Sequence, residues 1–269
     1  MNKTNQVYTL ITGSSQGLGK AFAEICAKNG RNLILISLPD ENNGNLSKEL
    51  AGKYEIKAIR YEVDLTKKED LYKLVDFVKG YRIDMLINNA GIGGTTRFED
   101  TSLDFLNEII LLNIKSLVTL THQLLPVLKQ EEEAYILNIS SLAAFAPMPF
   151  KTVYSASKAF VYSFSRGLKS ELEDSNIHVA VAHPGPMPTN ENVTKRVNAL
   201  TGMVKYSVLT PEETAKICLE KLLKKKAVII PGKFNWFNSL LLRFVPVPLQ
   251  LKILNGKLKT EAAKTHSYD

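Results

Sequence analysis

Val7-Tyr8-Thr9-Leu10-Ile11-Thr12-Gly13-Ser14-Ser15-Gln16-Gly17-Leu18-Gly19 decides how this chain of 269 residues is built. Residues 7–11 are a short apolar run that reads as a strand, and it leads straight into a turn of small residues. Beyond the turn, Leu18, Phe22, Ile25 and Cys26 recur at helical spacing. Strand, glycine-rich turn and helix, in that order, make a cradle for a phosphate. Small residues let the backbone come close, and the helix N-terminus offers amide hydrogens and the positive end of its dipole. The spacing is Gly-x-x-x-Gly-x-Gly, in the context a dinucleotide-binding turn requires.

The alternation continues outward from this stretch. Residues 32–36, 56–61, 83–87, 135–139, 177–182 and 227–230 read as further strands. Helical patterns lie between them. Leu71, Leu74, Val75 and Val78 share one face over residues 67–78; residues 102–128 form a long helix, and the helix carrying Tyr154 runs to about residue 173. Thr210-Pro211-Glu212-Glu213 is a helix start, with a capping threonine, proline at the first position and an acidic first turn. Residues 40–45 read as a polar loop in which Asp40 and Glu41 are solvated. Seven apolar strands joined by helices predict an α/β fold, a Rossmann-like, doubly wound, seven-stranded parallel sheet with helices on both faces. Ligands of such a sheet bind at the carboxyl ends of its strands.

Composition adds bounds. The chain is 45% hydrophobic, enough for one large domain, here residues 1–230, followed by an extension over 231–269. Cys26 and Cys218 lie far apart in helical patterns and read as buried thiols, without disulfide or metal spacing. The polar N-terminus and the lack of a long apolar run predict a chain in the reducing cytoplasm. The net charge is +7, but ten Lys/Arg against Glu261 and Asp269 from residue 221 onward leave residues 1–220 at −1. The basic excess belongs to the tail, and no nucleic acid is expected as partner.

The chemistry-bearing residues fall at strand ends or on the following helix. Tyr154 and Lys158, four apart, share a helix face. An ammonium beside a phenol favours the phenolate, so such a tyrosine exchanges protons with a carbonyl or alcohol near neutral pH. Ser141, just past the strand at 135–139, can hold the substrate oxygen. Asn88-Asn89-Ala90-Gly91 ends another strand, as an ordinary turn or as donors to loose backbone or a ligand. Asn113 sits among apolar neighbours in a helix and needs a partner; it either kinks the helix or turns its backbone toward a site. His183-Pro184-Gly185-Pro186-Met187-Pro188-Thr189 closes the strand at 177–182, with His183 read as a strand-end histidine rather than a base.

Taken together, residues 6–230 resemble the short-chain dehydrogenase/reductase family. The resemblance rests on Thr12-Gly13-x-x-x-Gly17-x-Gly19, Asp64, Asn88-Asn89-Ala90-Gly91, Asn113, Ser141, Tyr154-x-x-x-Lys158 and Pro184-Gly185. It implies hydride transfer between a nicotinamide and a carbonyl/alcohol pair. Tyr154 would be the acid/base, with Ser141 on the substrate oxygen. Lys158 would lower the tyrosine pKa and bind the nicotinamide ribose, and Asn113 would anchor a relay water. The implied cofactor residues are Thr12, Gly13, Ser15, Gly17, Leu18, Gly19, Ser37, Asp64 near the adenine, Asn89, Ala90, Gly91, Tyr154, Lys158, Pro184, Gly185 and Thr189 near the carboxamide.

One departure concerns the cofactor. Family members that prefer NADP carry a base near Gln16 or Leu38, and those that prefer NAD carry an acid where Ser37 stands. Ser37 repels nothing and can bond a phosphate, which favours NADP(H) over NAD(H). Ala143, Phe145, Met148, Phe150 and Met187 are expected to line an apolar pocket for a hydrophobic ketone, acyl or steroid-like carbonyl; the competing reading is that half of them are ordinary core. A homodimer or homotetramer is expected. In the extension, Phe234, Trp236, Phe237, Leu240, Leu241, Phe244 and Val245 recur at helical spacing among basic residues. Residues 233–256 should form helices folded over the pocket or a neighbouring subunit, with any membrane contact weak and peripheral; the competing reading is a basic amphipathic segment lying on an anionic membrane surface. The competing function is a catalytically silent nucleotide sensor or scaffold of the same fold; an intact Ser–Tyr–Lys–Asn set favours the enzyme.

Overall fold

The computed structural model describes residues 6–39, 43–188 and 207–265. They form one sheet of strands β1 (Val7–Thr12), β2 (Asn32–Ser37), β3 (Ala58–Glu62), β4 (Arg82–Asn88), β5 (Ala134–Ile139), β6 (Ile177–Ala182) and β7 (Val228–Ile229). Every pairing is parallel, and the order is β3-β2-β1-β4-β5-β6-β7. The chain winds outward from β1 to β3, then restarts at β4 on the other side. The strand order therefore reverses between β1 and β4, which opens a crevice at their carboxyl ends.

The continuous apolar runs are explained by the two layers they serve. Ile11, Leu33, Leu35, Ile87 and Leu137 pack with Phe22 and Cys26 of α1 (Gly17–Lys28), Leu46 and Leu50 of α2 (Asn43–Tyr54), and Ala215 and Cys218 of α7 (Pro211–Leu223). Their alternate neighbours Leu10, Ile34, Ile36, Leu86 and Ile136 face the other layer. There they meet Leu71, Leu74 and Val75 of α3 (Lys68–Val78), Leu120 and Leu124 of α5 (Leu117–Leu128), and Leu168 of α6 (Thr152–Glu171). A strand covered on both faces has no polar side to show in the sequence.

Boundaries moved where packing overrode pattern. Helix α2 starts at Asn43, inside the stretch expected to be loop, and is anchored by the buried Leu46 and Leu50 with Tyr54 packed against the same layer. Strand β3 begins two residues later than the apolar run that announced it. The long helix at 102–128 is three pieces: α4 (Leu103–Ile110), a π-helical turn Leu111–Ser116 and α5. Asp40 and Glu41 lie outside the described residues, as does Thr189. Helices α8 (Lys233–Phe244) and α9 (Val247–Thr265) follow β7.

Candidate active site

The glycine turn after β1 is built for close approach. Gly13 and Gly17 have φ of 64° and 53°, which side chains rarely adopt. A Cβ on Gly19 would collide with the Gly13 carbonyl. Helix α1 then starts with no side-chain cap at Gln16 and no acid in its first turn, which leaves its amides and dipole to an anion. These residues fit a dinucleotide pyrophosphate. Two residues expected at the cofactor also tie the turn to the end of β4. Thr12 Oγ1 accepts from the Asn89 and Ala90 amides, both at 3.0 Å, and Asn89 Nδ2 donates to the Thr12 and Gly13 carbonyls at 3.0 Å. Their polar side-chain groups shape the cradle.

The carboxyl end of β5 carries Ser141, whose Oγ accepts from Ala143 N at 3.2 Å and starts a 3-10 turn, Leu142–Phe145. Lys158 of α6 is buried and donates through Nζ to Ile139 O at 3.1 Å, two residues before Ser141. Ser140 Oγ donates back to Lys158 O at 2.7 Å. The ammonium lies 5.8 Å from the centre of the Tyr154 ring. Burial pushes the Lys158 amine down to about 8. The site therefore holds an amine that is charged at pH 7, yet within about one unit of losing its proton.

Asn113 lies in the π-helical turn and is buried. Its Oδ1 accepts from Ile92 N at 2.9 Å, and its Nδ2 donates to Ile92 O at 2.9 Å and Ser157 Oγ at 3.0 Å. Both ends of the amide are thus spent on holding the segment after β4 against α6. A Cβ at Gly91 would stand 3.0 Å from both Asn113 Oδ1 and Lys158 Nζ, so the segment after β4, the π-helical turn and α6 converge. The glycine turn, the buried lysine and its tyrosine partner all lie within residues 8–199, which match the model of the short chain dehydrogenases. This chain belongs to the short chain dehydrogenase family.

A very-long-chain 3-oxoacyl-CoA reductase of Neurospora crassa is 29% identical over 88% of this chain and 71% of its own length. One from Anas platyrhynchos is 34% identical over 66% of this chain and 58% of its own length. The chain thus spans between about three-fifths and seven-tenths of these two relatives. Among solved structures, a short-chain dehydrogenase from Sphingobium yanoikuyae in complex with NADPH superposes with a TM-score of 0.76 at 29% identity, covering 85% of this chain and 88% of that one.

The other expected residues fall around this centre. Asp64 Oδ1 accepts from Thr66 N at 3.0 Å and Thr66 Oγ1 at 2.6 Å. Burial raises its carboxyl, but the Thr66 and Lys67 donors outweigh burial and hold it below the usual value. Ser37 ends β2, buried, its Oγ on the Leu38 carbonyl at 3.1 Å. His183 packs against Phe145 and Tyr162 and binds the Ser141 carbonyl through Nδ1 at 3.0 Å, so it positions the serine's backbone.

A cavity of about 610 Å3 adjoins the site. Ala143, Phe145 and Met148 line it, as expected from their apolar character; Phe150 and Met187 do not. Met187 belongs to the core, and Phe150 is held at φ 61° with its carbonyl accepting from Thr96 N at 2.9 Å. None of Ser141, Tyr154 and Lys158 lines the cavity. On α6 its walls are Thr152, Ser155, Ala156 and Ala159, the face turned away from Tyr154.

Gly93 was invisible in the sequence, which offers no fixed spacing for it. A Cβ there would overlap the Tyr154 ring, with Cγ and Cε2 2.8 Å away. We expect Gly93→Ala to lower kcat by about ten- to a hundred-fold while leaving cofactor affinity unchanged, because the ring must shift. Wild-type kcat in Gly93→Ala would remove this constraint on the tyrosine.

Proposed function

We propose that the chain reduces a hydrophobic carbonyl compound, foremost a long-chain 3-oxoacyl thioester, with NADPH. The observation that carries this reading is the buried Lys158, fixed on Ile139 O beside the Tyr154 ring at the carboxyl end of β5. The names of the relatives support the acyl substrate. No member of the Ser141–Tyr154–Lys158–Asn113 set is replaced, so nothing favours the silent scaffold.

A nicotinamide supplies hydride when bound. The protein's part is to bind, orient and move a proton. Gly13, Gly17, Gly19 and the N-terminus of α1 would hold the pyrophosphate, with Ser15, Leu18, Ala90, Gly91, Pro184 and Gly185 around the dinucleotide. Ser141 donates to the carbonyl oxygen. Tyr154 gives that oxygen its proton as negative charge develops, and the Lys158 ammonium stabilises the tyrosinate left behind. A relay water belongs on a backbone carbonyl of the π-helical turn, since the Asn113 side chain is already committed. The test is a series of 3-oxoacyl-CoA substrates of rising chain length with NADPH and NADH, followed by nicotinamide absorbance. Failure of every chain length, and of simple bulky ketones, with both cofactors would sink the proposal.

The NADP(H) preference rests on the end of β2. Ser37 carries no charge, and its register partner Glu62 has its carboxylate on Arg60 at 3.2 Å. Ser37→Asp should lower kcat/KM for NADPH relative to NADH by about ten-fold or more, by placing a carboxylate beside a 2′-phosphate. An unchanged ratio would mean that Ser37 does not face the ribose.

A homodimer is part of the same reading. Leu103 and Ile110 of α4 and Phe160 of the adjoining α6 are exposed and apolar. Light scattering on the purified chain should give about twice its 30.0 kDa, and a monomer across the micromolar range would refute this. Cys26 and Cys218 are free and buried, and the reducing cytoplasm is proposed as the place of the chain. After β7, Leu251 alone stands in the wall of the apolar cavity among the described residues, and the exposed apolar side chains of α8 and α9 are assigned to weak peripheral membrane contact.

A further inference from the structure

Helix α8 is inside out. A helix on a water-soluble domain turns its apolar stripe to the core. Here the buried side chains are Asn235 and Ser239, 1% and 3% exposed, while Trp236 and Phe244 are 55% and 79% exposed. Phe237, Leu240 and Leu241 are exposed as well. At about 100° per residue, these five apolar side chains share one sector of roughly 140°, with Asn235 and Ser239 on the other side.

The inverted orientation is held by specific bonds. Asn235 Nδ2 donates to Ser207 O and Pro231 O, both at 2.9 Å, and its amide packs against Gly185, where a Cβ would come within 2.7 Å. Ser239 Oγ donates to Trp236 O at 2.7 Å. At the other end of α8, the buried Gln250 of α9 donates through Nε2 to Leu242 O and Val245 O at 2.7 and 2.8 Å. Beyond that cap, Val247, Leu249 and Ile253 are exposed too. Among the described residues, no helix is long and apolar enough to cross a membrane.

Charge decides what covers this face. Residues 233–260 carry Lys233, Arg243, Lys252, Lys257 and Lys259 and no Asp or Glu. Two copies meeting face to face through a two-fold axis would set these cations against each other. An anionic lipid surface accepts both the apolar stripe and the lysines, and a tryptophan suits the headgroup boundary. We propose that α8 and the first turns of α9 dock on the surface of an anionic phospholipid bilayer. This commits the membrane contact proposed above to one face and one lipid charge, and it rests on that reading. Leu251, in the same helix as the lipid-facing side chains, walls the apolar cavity.

Trp236 is the chain's single tryptophan, so its emission reports the docking directly. The full chain is mixed with phosphatidylcholine vesicles, with or without phosphatidylserine, and with brominated acyl chains as quenchers. A blue shift and quenching are expected with the anionic vesicles, lowered several-fold at about 1 M salt, where screening acts within ~3 Å. Leu240→Glu with Phe244→Glu should reduce the vesicle-bound fraction about ten-fold or more while leaving reduction of a water-soluble ketone unchanged. Unaltered emission with both vesicles would overturn the proposal. So would equal binding to neutral vesicles, or emission that shifts with protein concentration alone, the sign of a second copy on the face. The readout needs no turnover: an inactive chain that docks defeats the reductase reading only, and an active chain that does not dock defeats this one only.

Discussion

Tyr154→Phe is expected to lower kcat/KM by about a hundred- to ten-thousand-fold, the usual loss when a positioned acid is removed. The phenol oxygen is needed only when the carbonyl oxygen takes up charge, so cofactor affinity should hold within a factor of about two to three. The fold should hold as well. The ring keeps its place between Gly93 and Lys158, and α6 is anchored independently by Lys158 on Ile139 O and Ser140 on Lys158 O. The measurement is kcat/KM for carbonyl reduction beside calorimetric binding of NADPH. Near-normal turnover in Tyr154→Phe would move the acid to another group.

Lys158→Met is expected to cost activity as heavily, and cofactor affinity with it, while changing how stability responds to pH. The folded amine titrates at about 8 against an ordinary 10.5. Below about pH 8 both the folded and the unfolded chain hold the proton, and the buried charge costs on the order of 3 kcal/mol. Between pH 8 and 10.5 the folded form releases its proton first, so the unfolded state binds more protons and wild-type stability rises relative to the variant by up to about 3 kcal/mol. Methionine removes that rise. It also deprives Ile139 O of its donor, at about 1–3 kcal/mol, but that offset does not change over this pH range. Denaturant unfolding of both proteins from pH 7 to 10.5 isolates the slope. Parallel profiles would mean that Lys158 is not held charged against its burial. A lysine kept at that cost is difficult to explain by folding and is explained by its place beside Tyr154.

Much of this was legible along the chain because the constraints are local. A strand buried on both faces must be apolar throughout, and β1, β2, β4, β5 and β6 were readable as such. A turn that approaches a phosphate must be small, so Gly13, Gly17 and Gly19 stood out. A pair four apart on one helix, Tyr154 and Lys158, needs no tertiary information to share a face. Helix α2 was missed because it has few apolar anchors, and its stability comes from Leu46 and Leu50 meeting α1 and the sheet.

The sequence by itself determined the order of elements, the parallel sheet, the glycine cradle and the chemistry at the strand ends, since each follows from periodicity or spacing within some twenty residues. Only the tertiary structure decided what those residues do to one another. Thr12 and Asn89, expected at the cofactor, bond across 77 residues to lock the cradle, and Asn113 spends its amide on Ile92 and Ser157. Gly93 matters because of the ring that passes over it, and Met187 is core because of its neighbours. The amphipathic pattern of α8 was plain in the sequence, but its direction was not. A periodicity says that a helix has two faces. Which face meets the protein depends on the groups it packs against, here the Ser207 and Pro231 carbonyls, which draw Asn235 inward against Gly185 and leave Trp236 and Phe244 outside.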